Sequence, residues 1–404
     1  MDKISGLPDA VLVKILSFLP TKVAVSSSIL AKRWEFLWML LPRLEFTSQM
    51  VTTKPGLGDF INKNMPLHRA PFIESLHLLL ELSRRDSKPE DIKRWIEITV
   101  SRNVRELDIF YGSENENIFP SSLFTCKSLE VLKLKWATLM DIPSRACLPS
   151  LKILQLESVK FVDEQLLQKL LSICPVLEDL SVHCYKDHNM EEFTIIVPSL
   201  LSLSLFIPDD WLFDGYVIDT PSLNYLKLED CNHLNHNSLI QNMPKLREAY
   251  VDVRYFLLKS VIESITSLEH LNLCVCKRDS SNLLGQYLLK DSPKLRVLDI
   301  SIVGDHGMDE RNGMVCWNQP SPVPECLLSS LQIFNWSRYF GRPQDRDIAV
   351  YILKNARHLK KATILADRSE HFVPNVQMIK ELALSPRASI KCQVVFVEDL
   401  KWFV

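Results

Sequence analysis

Apolar residues at relative positions 1, 4 and 6 recur twelve times between residues 73 and 364. The copies are Ile73-Leu76-Leu78, Val104-Leu107-Ile109, Leu129-Leu132-Leu134, Leu151-Leu154-Leu156, Leu177-Leu180-Val182 and Leu200-Leu203-Leu205. They continue as Leu223-Leu226-Leu228, Leu246-Ala249-Val251, Leu268-Leu271-Leu273, Leu295-Leu298-Ile300, Leu331-Phe334-Trp336 and Leu359-Ala362-Ile364. First anchors lie 22 to 36 residues apart. A proline stands two residues before the first anchor in six copies: Pro149, Pro175, Pro198, Pro221, Pro244 and Pro293. Proline stops a preceding helix and leads into extended chain, so each anchor triplet begins a strand.

Helical periodicity fills some of the gaps. From Pro89, residues Ile92, Trp95, Ile96, Thr99 and Val100 form an i, i+3, i+4, i+7, i+8 stripe. Pro89 suits the first turn, and Glu90 and Asp91 suit the positive end of the helix dipole. Leu166, Leu167, Leu170 and Leu171 make a second apolar face. No single unit can bury its own leucines, but stacked units share one core. The period is that of leucine-rich repeats. The expected fold class is α/β: a repeat solenoid with a strand plus a helix in each repeat.

Composition narrows the chemistry. Forty-seven basic residues oppose forty-nine acidic ones, a formal net charge of −2. That leaves no global field for a phosphate backbone, so no nucleic-acid partner is expected. Only ten glycines occur in 404 residues, and no phosphate-cradling loop is spelled. No apolar run has the length of a membrane span, and Asp9 and Lys14 interrupt the one stretch near the start that resembles a signal peptide. Ten scattered cysteines without a C-x-x-C pair read as reduced thiols, which points to the cytoplasm or nucleus. G-x-S-x-G and H-E-x-x-H are both absent, so no catalytic residues are assigned. His233 with His236, and His183 and Cys184 with His188, are too loose for zinc and read as loop residues. No metal and no cofactor are expected.

The first forty-six residues follow another pattern. Pro8 opens a helix carrying Val11, Leu12, Ile15, Leu16, Phe18 and Leu19, and Pro20 ends it. A second helix is expected to carry Leu30, Trp34, Leu37, Trp38 and Leu41. So small a segment has more large apolar side chains than its own core can use, and the surplus implies a partner. The simpler alternative is a cap on the repeats.

Leu7-Pro8-Asp9, Ile15 to Lys22, Leu30, Arg33-Trp34 and Leu37-Trp38 resemble an F-box over residues 4 to 45. Ser27 stands where plant relatives more often carry threonine. The resemblance implies docking to a Skp-type adaptor and through it a cullin. It assigns Leu7, Pro8, Ile15, Leu16, Leu19 and Trp34 to that contact or to the small core behind it. Further on, Val323 to Leu331, then Ala356 with Leu359 to Ile364, then Pro386 to Ser389 with Cys392, resemble the FBD region of plant F-box proteins. The whole chain is therefore similar to the plant F-box/FBD/leucine-rich-repeat family. The boundaries read as 1–46 F-box, 47–71 connecting segment, 72–320 repeats and 321–396 FBD region with terminal repeats and cap.

Alternation along each strand turns positions 3, 5 and 7 away from the core. These 36 positions hold eight acidic and four basic residues and no arginine. The balance disfavours nucleic acid and polyphosphate and favours a basic protein segment. Aromatic and charged residues gather in Phe206, Tyr225, Lys227, Glu229, Glu248, Tyr250, Asp252 and His270, which makes them the expected target contact. The expected function is that of a non-catalytic substrate-recognition subunit of a Skp–cullin–F-box ubiquitin ligase. The alternative is a repeat scaffold without ligase association.

Overall fold

A computed structural model describes residues 4–47, 56–80, 87–112, 116–185, 192–209, 211–232, 234, 236–241, 243–253, 261–276, 292–303, 319–339, 341, 343–366 and 376–398. The chain divides into two compact units, Met1–Val197 and Pro198–Val404. The first holds β1 (Arg43–Thr47), β2 (Ser75–Leu80), β3 (Glu106–Tyr111), β4 (Val131–Lys135), β5 (Thr138–Leu139), β6 (Ile153–Glu157), β7 (Lys160–Phe161), β8 (Asp179–His183) and β9 (Glu192–Ile196). The second holds β10 (Ser202–Ile207), β11 (Gly215–Asp219), β12 (Tyr225–Asp230), β13 (Asn237–Ile240), β14 (Glu248–Val253), β15 (His270–Cys276), β16 (Val297–Val303), β17 (Ile333–Tyr339), β18 (Lys361–Ala366) and β19 (Gln393–Glu398).

Each unit is built on a parallel ladder whose strands follow sequence order. In the first unit the order is β1, β2, β3, β4, β6, β8. In the second it is β10, β12, β14, β15, β16, β17, β18, β19. The register aligns positions 4 and 6 of successive repeats, as in Leu107 with Leu132 and Ile109 with Leu134. Every residue of the twelve anchor triplets is buried, none more than 4% exposed. The alternation therefore assigns the two faces as the sequence pattern requires.

Position 2 supplies the backbone link. Its carbonyl accepts two amides from the next repeat: Glu74 O from Arg105 N (3.1 Å) and Glu106 N (3.0 Å), Arg105 O from Glu130 N (2.8 Å) and Val131 N (3.0 Å). The same double acceptance recurs at Leu201, Asn224, Arg247, Glu269, Arg296 and Gln332. A serine just before the first anchor adds a side-chain bond. Ser128 Oγ donates to Val104 O (2.8 Å), Ser267 Oγ to Leu246 O (2.7 Å) and Ser330 Oγ to Leu295 O (2.8 Å). Each accepting carbonyl belongs to the first anchor of the preceding repeat. Position 8 turns the chain out of the strand in the left-handed region at Trp136 and Ser158, with φ of 51° and 54°, and at Arg338, φ 53°, it accompanies a register shift within β17.

Several sequence expectations need correction. A strand-plus-helix unit is not uniform. Helices Pro89–Val100 and Gln165–Ser172 form, burying Ile92, Trp95, Ile96 and Thr99, and Leu166, Leu167, Leu170 and Leu171. Helices Leu57–Asn64, Pro343–Asn355 and Val376–Ala383 form as well, but in other repeats the return segment is a strand: β5 pairs β7, and β11 pairs β13. Tyr216, Val217 and Ile218 favour extended chain and carry no 3.6-residue stripe. A Cβ at Gly215, where φ is +146°, would fall 1.4 Å from Asn237 O, so only glycine permits this pairing. The repeat search also missed β1, whose Leu41, Leu44 and Phe46 are buried like the other triplets, and β19 at the far end. Lysine at position 391 breaks the pattern there.

The N-terminal segment differs too. The first helix is Asp9–Leu16, and Pro20 caps a separate helix Thr21–Ser26 rather than merely ending the first. Residues 27–40 form short 3-10 turns, Ser27–Ile29, Lys32–Trp34 and Leu37–Leu40, in place of one helix. Extended backbone at Ala31 interrupts the run. Tertiary bonds hold the break: Arg33 Nη2 donates to Leu7 O (2.6 Å) and pairs with Asp9 (3.0 Å), while Trp34 Nε1 donates to Ser5 Oγ (2.9 Å).

Ser330→Ala should lower stability by about 1–2 kcal/mol, because it removes the side-chain donor that meets the Leu295 carbonyl of the preceding repeat. Ser158→Gly should be neutral or stabilising by up to about 1 kcal/mol, because it relieves a left-handed backbone. Urea denaturation midpoints at constant slope check both.

Candidate functional site

Two surfaces hold the residues singled out from sequence. The N-terminal helices and turns pack on one another around Leu12, Leu16, Ala24, Trp34, Leu37 and Trp38, all buried. The same short segment leaves large apolar groups in water: Phe18 is 79% exposed, Ile29 86% and Leu30 71%, with Val11, Ile15, Leu19, Val23 and Phe36 also exposed. Isolated exposed leucines are ordinary, but here eight large apolar side chains are exposed within about thirty residues. Of the six residues assigned there, Pro8, Ile15 and Leu19 are exposed and Leu7 is half-buried. Leu16 and Trp34 belong to the core behind. The apolar surplus is thus not the tryptophans. Phe18, Ile29 and Leu30 carry it, and helical-wheel reading missed Ile29 because it placed no turn there.

The second surface is the strand face of the second unit. Register places Tyr225, Glu248 and His270 in one row, Lys227, Tyr250 and Asn272 in the next, and Glu229, Asp252 and Cys274 in the third, with Phe206 beside Glu229. All eight expected contact residues therefore share neighbouring strands. Lys227 Nζ pairs with Glu229 Oε2 (2.7 Å) and lies 5.5 Å from the Tyr250 ring centroid. His270 stands between two carboxylates, Nδ1 3.4 Å from Glu248 Oε1 and Nε2 2.7 Å from Asp299 Oδ2. Asn335 Nδ2 donates to Asp299 Oδ1 (2.6 Å). Tyr250 OH, Cys274 Sγ and Ser301 Oγ form a chain at 3.4 and 2.8 Å. Burial pushes both the Cys274 thiol and the Tyr250 phenol above their ordinary ranges, so neither is a ready nucleophile. Asp299, Asn272 and Asn335 were missed as members. Reading position 5 across repeats, rather than aromatics within each, would have found them.

The first unit's strand face carries its own ion pairs: His77 Nδ1 with Asp108 Oδ2 at 3.0 Å, Lys133 with Glu106 at 2.9 Å and Lys135 with Glu157 at 3.5 Å. The hydrogen bond to Asp108 raises the His77 pKa above the ordinary 6.5. Partial burial pushes Asp108 up, but the bond from His77 and the charges of His77, Lys135 and Lys133 together outweigh it and hold Asp108 below its ordinary value.

His236, read as a loop residue, does lie between β12 and β13 but is not solvated. Its ring is buried, with Nε2 3.2 Å from Asp230 Oδ2 and Nδ1 2.9 Å from Ser238 Oγ. Tyr216 OH also donates to Asp230 (3.2 Å), and Phe213 packs on the imidazole at 4.5 Å. This is a buried polar network within the core. His233 and His188 lie outside the described residues. Among the described residues no group of three His, Cys, Asp or Glu side chains is placed to hold a metal ion. Eight described cysteines are free thiols.

A family model described as FBD matches residues 319–364, spanning helix Glu325–Ser329, β17, helix Pro343–Asn355 and most of β18. Another, described as the LRR repeats of FBD-associated F-box protein At5g56370, matches residues 92–249. The FBD-associated F-box protein At5g38590 of Arabidopsis thaliana is 65% identical, covering 95% of this chain and 98% of its own length. The FBD-associated F-box protein At4g10400 of the same plant is 51% identical over 98% of this chain and 100% of its own. The chain belongs to the F-box/FBD/LRR-repeat family. Arabidopsis also supplies a 40% identical relative under that full description, the putative F-box/FBD/LRR-repeat protein At5g62970, matched over 98% of this chain. In this F-box/FBD/LRR-repeat protein the matched repeats run from within helix Pro89–Val100 to the start of β14. The FBD match then falls on strands that continue the second unit's ladder.

The His77–Asp108 pair gives a signed pH effect. Because the folded His77 pKa lies above 6.5, its stabilisation is complete below that value and is lost as pH rises through the folded pKa. His77→Gln should flatten the fall in denaturation midpoint above about pH 6.5 relative to the parent, as checked by urea titration at several pH values.

Proposed function

We propose that the chain is the substrate-recognition subunit of a Skp–cullin–F-box ubiquitin-protein ligase. The observation that carries this is the N-terminal segment, which keeps Phe18, Ile29 and Leu30 in water although its small core is complete without them. Family membership supplies the F-box context, and residues 4–45 are read as that domain. A Skp-type adaptor covers the apolar face, engaging Leu7, Pro8, Ile15 and Leu19, while Leu16 and Trp34 set its shape from behind. The parallel ladders are read as coils of a leucine-rich-repeat solenoid, and the strand face of the second unit holds the target protein.

The mechanism asks no chemistry of this chain. A cullin scaffold joined through the adaptor brings a ubiquitin-charged enzyme near the bound target. Tethering raises the effective concentration of target lysines, which is the contribution of a receptor subunit. The free thiols fit work in the cytosol or nucleus, where cysteines stay reduced.

Leu19→Asp should abolish co-purification of a Skp-type adaptor and cullin while leaving the melting temperature within about 2 °C of the parent, because the side chain is exposed. A parent chain that captures neither adaptor nor cullin would leave the repeat-scaffold reading standing instead.

A further inference from the structure

We infer that the strand face from β12 to β17 binds an extended, lysine- or arginine-rich segment of the target. This specifies the partner chemistry of the recognition surface proposed above and rests on that reading.

Charge gives the first argument. On β12, β14, β15 and β16 the outward positions carry four carboxylates, Glu229, Glu248, Asp252 and Asp299, against one ammonium, Lys227. That ammonium is already held by Glu229 at 2.7 Å. Hydrogen-bond supply gives the second. Glu248 and Asp299 flank one imidazole, and a carboxylate accepts up to about four hydrogen bonds, so both keep acceptor capacity. Asn272 Oδ1, in the row between Tyr250 and Asp299, is itself buried and has no hydrogen-bond partner among the described residues. The face thus carries more carboxylates than cations, and Glu248 is 53% exposed to meet a newcomer. Ammonium and guanidinium groups are donors only, and they bring the missing charge. Tyr225 and Tyr250 present ring surface beside these carboxylates, where a lysine stem or a guanidinium plane packs well.

Geometry sets the form of the ligand. Five neighbouring strands at about 4.8 Å span about 19 Å, the reach of about six extended residues. A segment crossing the strands runs along these rows and would bring its basic side chains past successive strands in turn.

The test uses the full chain with two fluorescein-labelled peptides, one alternating Lys and Thr and the other Glu and Thr, followed by fluorescence anisotropy at low and high salt. The Lys peptide should bind and the Glu peptide should not. Glu248→Lys should weaken the Lys peptide by about ten-fold, and Glu178→Lys, outside this face, should change it by less than about two-fold. Equal binding of both peptides, or equal loss with the two variants, would overturn the inference. Adaptor capture is scored on the same samples. A chain that binds the Lys peptide through Glu248 but captures no adaptor keeps this inference and removes the ligase reading. A chain that captures adaptor and ignores the Lys peptide does the reverse.

Discussion

Three side chains per repeat hold this protein together. Positions 1, 4 and 6 are buried in all twelve copies, and each buried leucine contributes about 1.5–3 kcal/mol relative to exposure. No repeat can bury them alone, so the strands stand side by side in parallel register. The shared carbonyl at position 2 fixes that register, because one oxygen takes amides from positions 2 and 3 of the next strand. A one-residue slip would turn every leucine outward and break every such pair. Outward positions are free of this constraint, so they are where this chain differs chemically from any other array of the same kind.

What was legible in the sequence was the part governed by period. Anchor spacing and the prolines before the anchors located all the ladder strands between residues 75 and 366. Alternation then sorted the outward residues correctly enough to assemble Tyr225, Glu248 and His270 in one row. Single-copy features were less legible. The segment from Leu30 to Leu41 has helical spacing of apolar residues, yet Arg33 and Trp34 are drawn back to Leu7 and Ser5, which breaks it into turns. Long-range bonds of that kind leave no periodic trace. The return strands β11 and β13 depend on a backbone contact that only Gly215 allows, again a pairwise fact. The serine before the anchor was legible in principle, since it recurs at Ser128, Ser267 and Ser330, but its meaning needs the carbonyl it meets.

The two surfaces divide the work by chemistry. Near the N-terminus the exposed groups are large and apolar, suited to a lasting cover that removes them from water. On the second unit's strand face they are charged and aromatic around a histidine shared by Glu248 and Asp299, suited to selecting among partners by charge. Neither surface has a nucleophile with a lowered pKa. Burial raises the Cys274 thiol and the Tyr250 phenol, and Asp230 with His236 is committed to the core.

The most direct measurement of that account is hydrogen exchange on the full chain, alone and mixed with a purified Skp-type adaptor. Slowed exchange confined to residues 7–40, with the ladder strands unchanged, is the predicted result. Unchanged exchange across that stretch, or protection that falls on the strand faces instead, would contradict it.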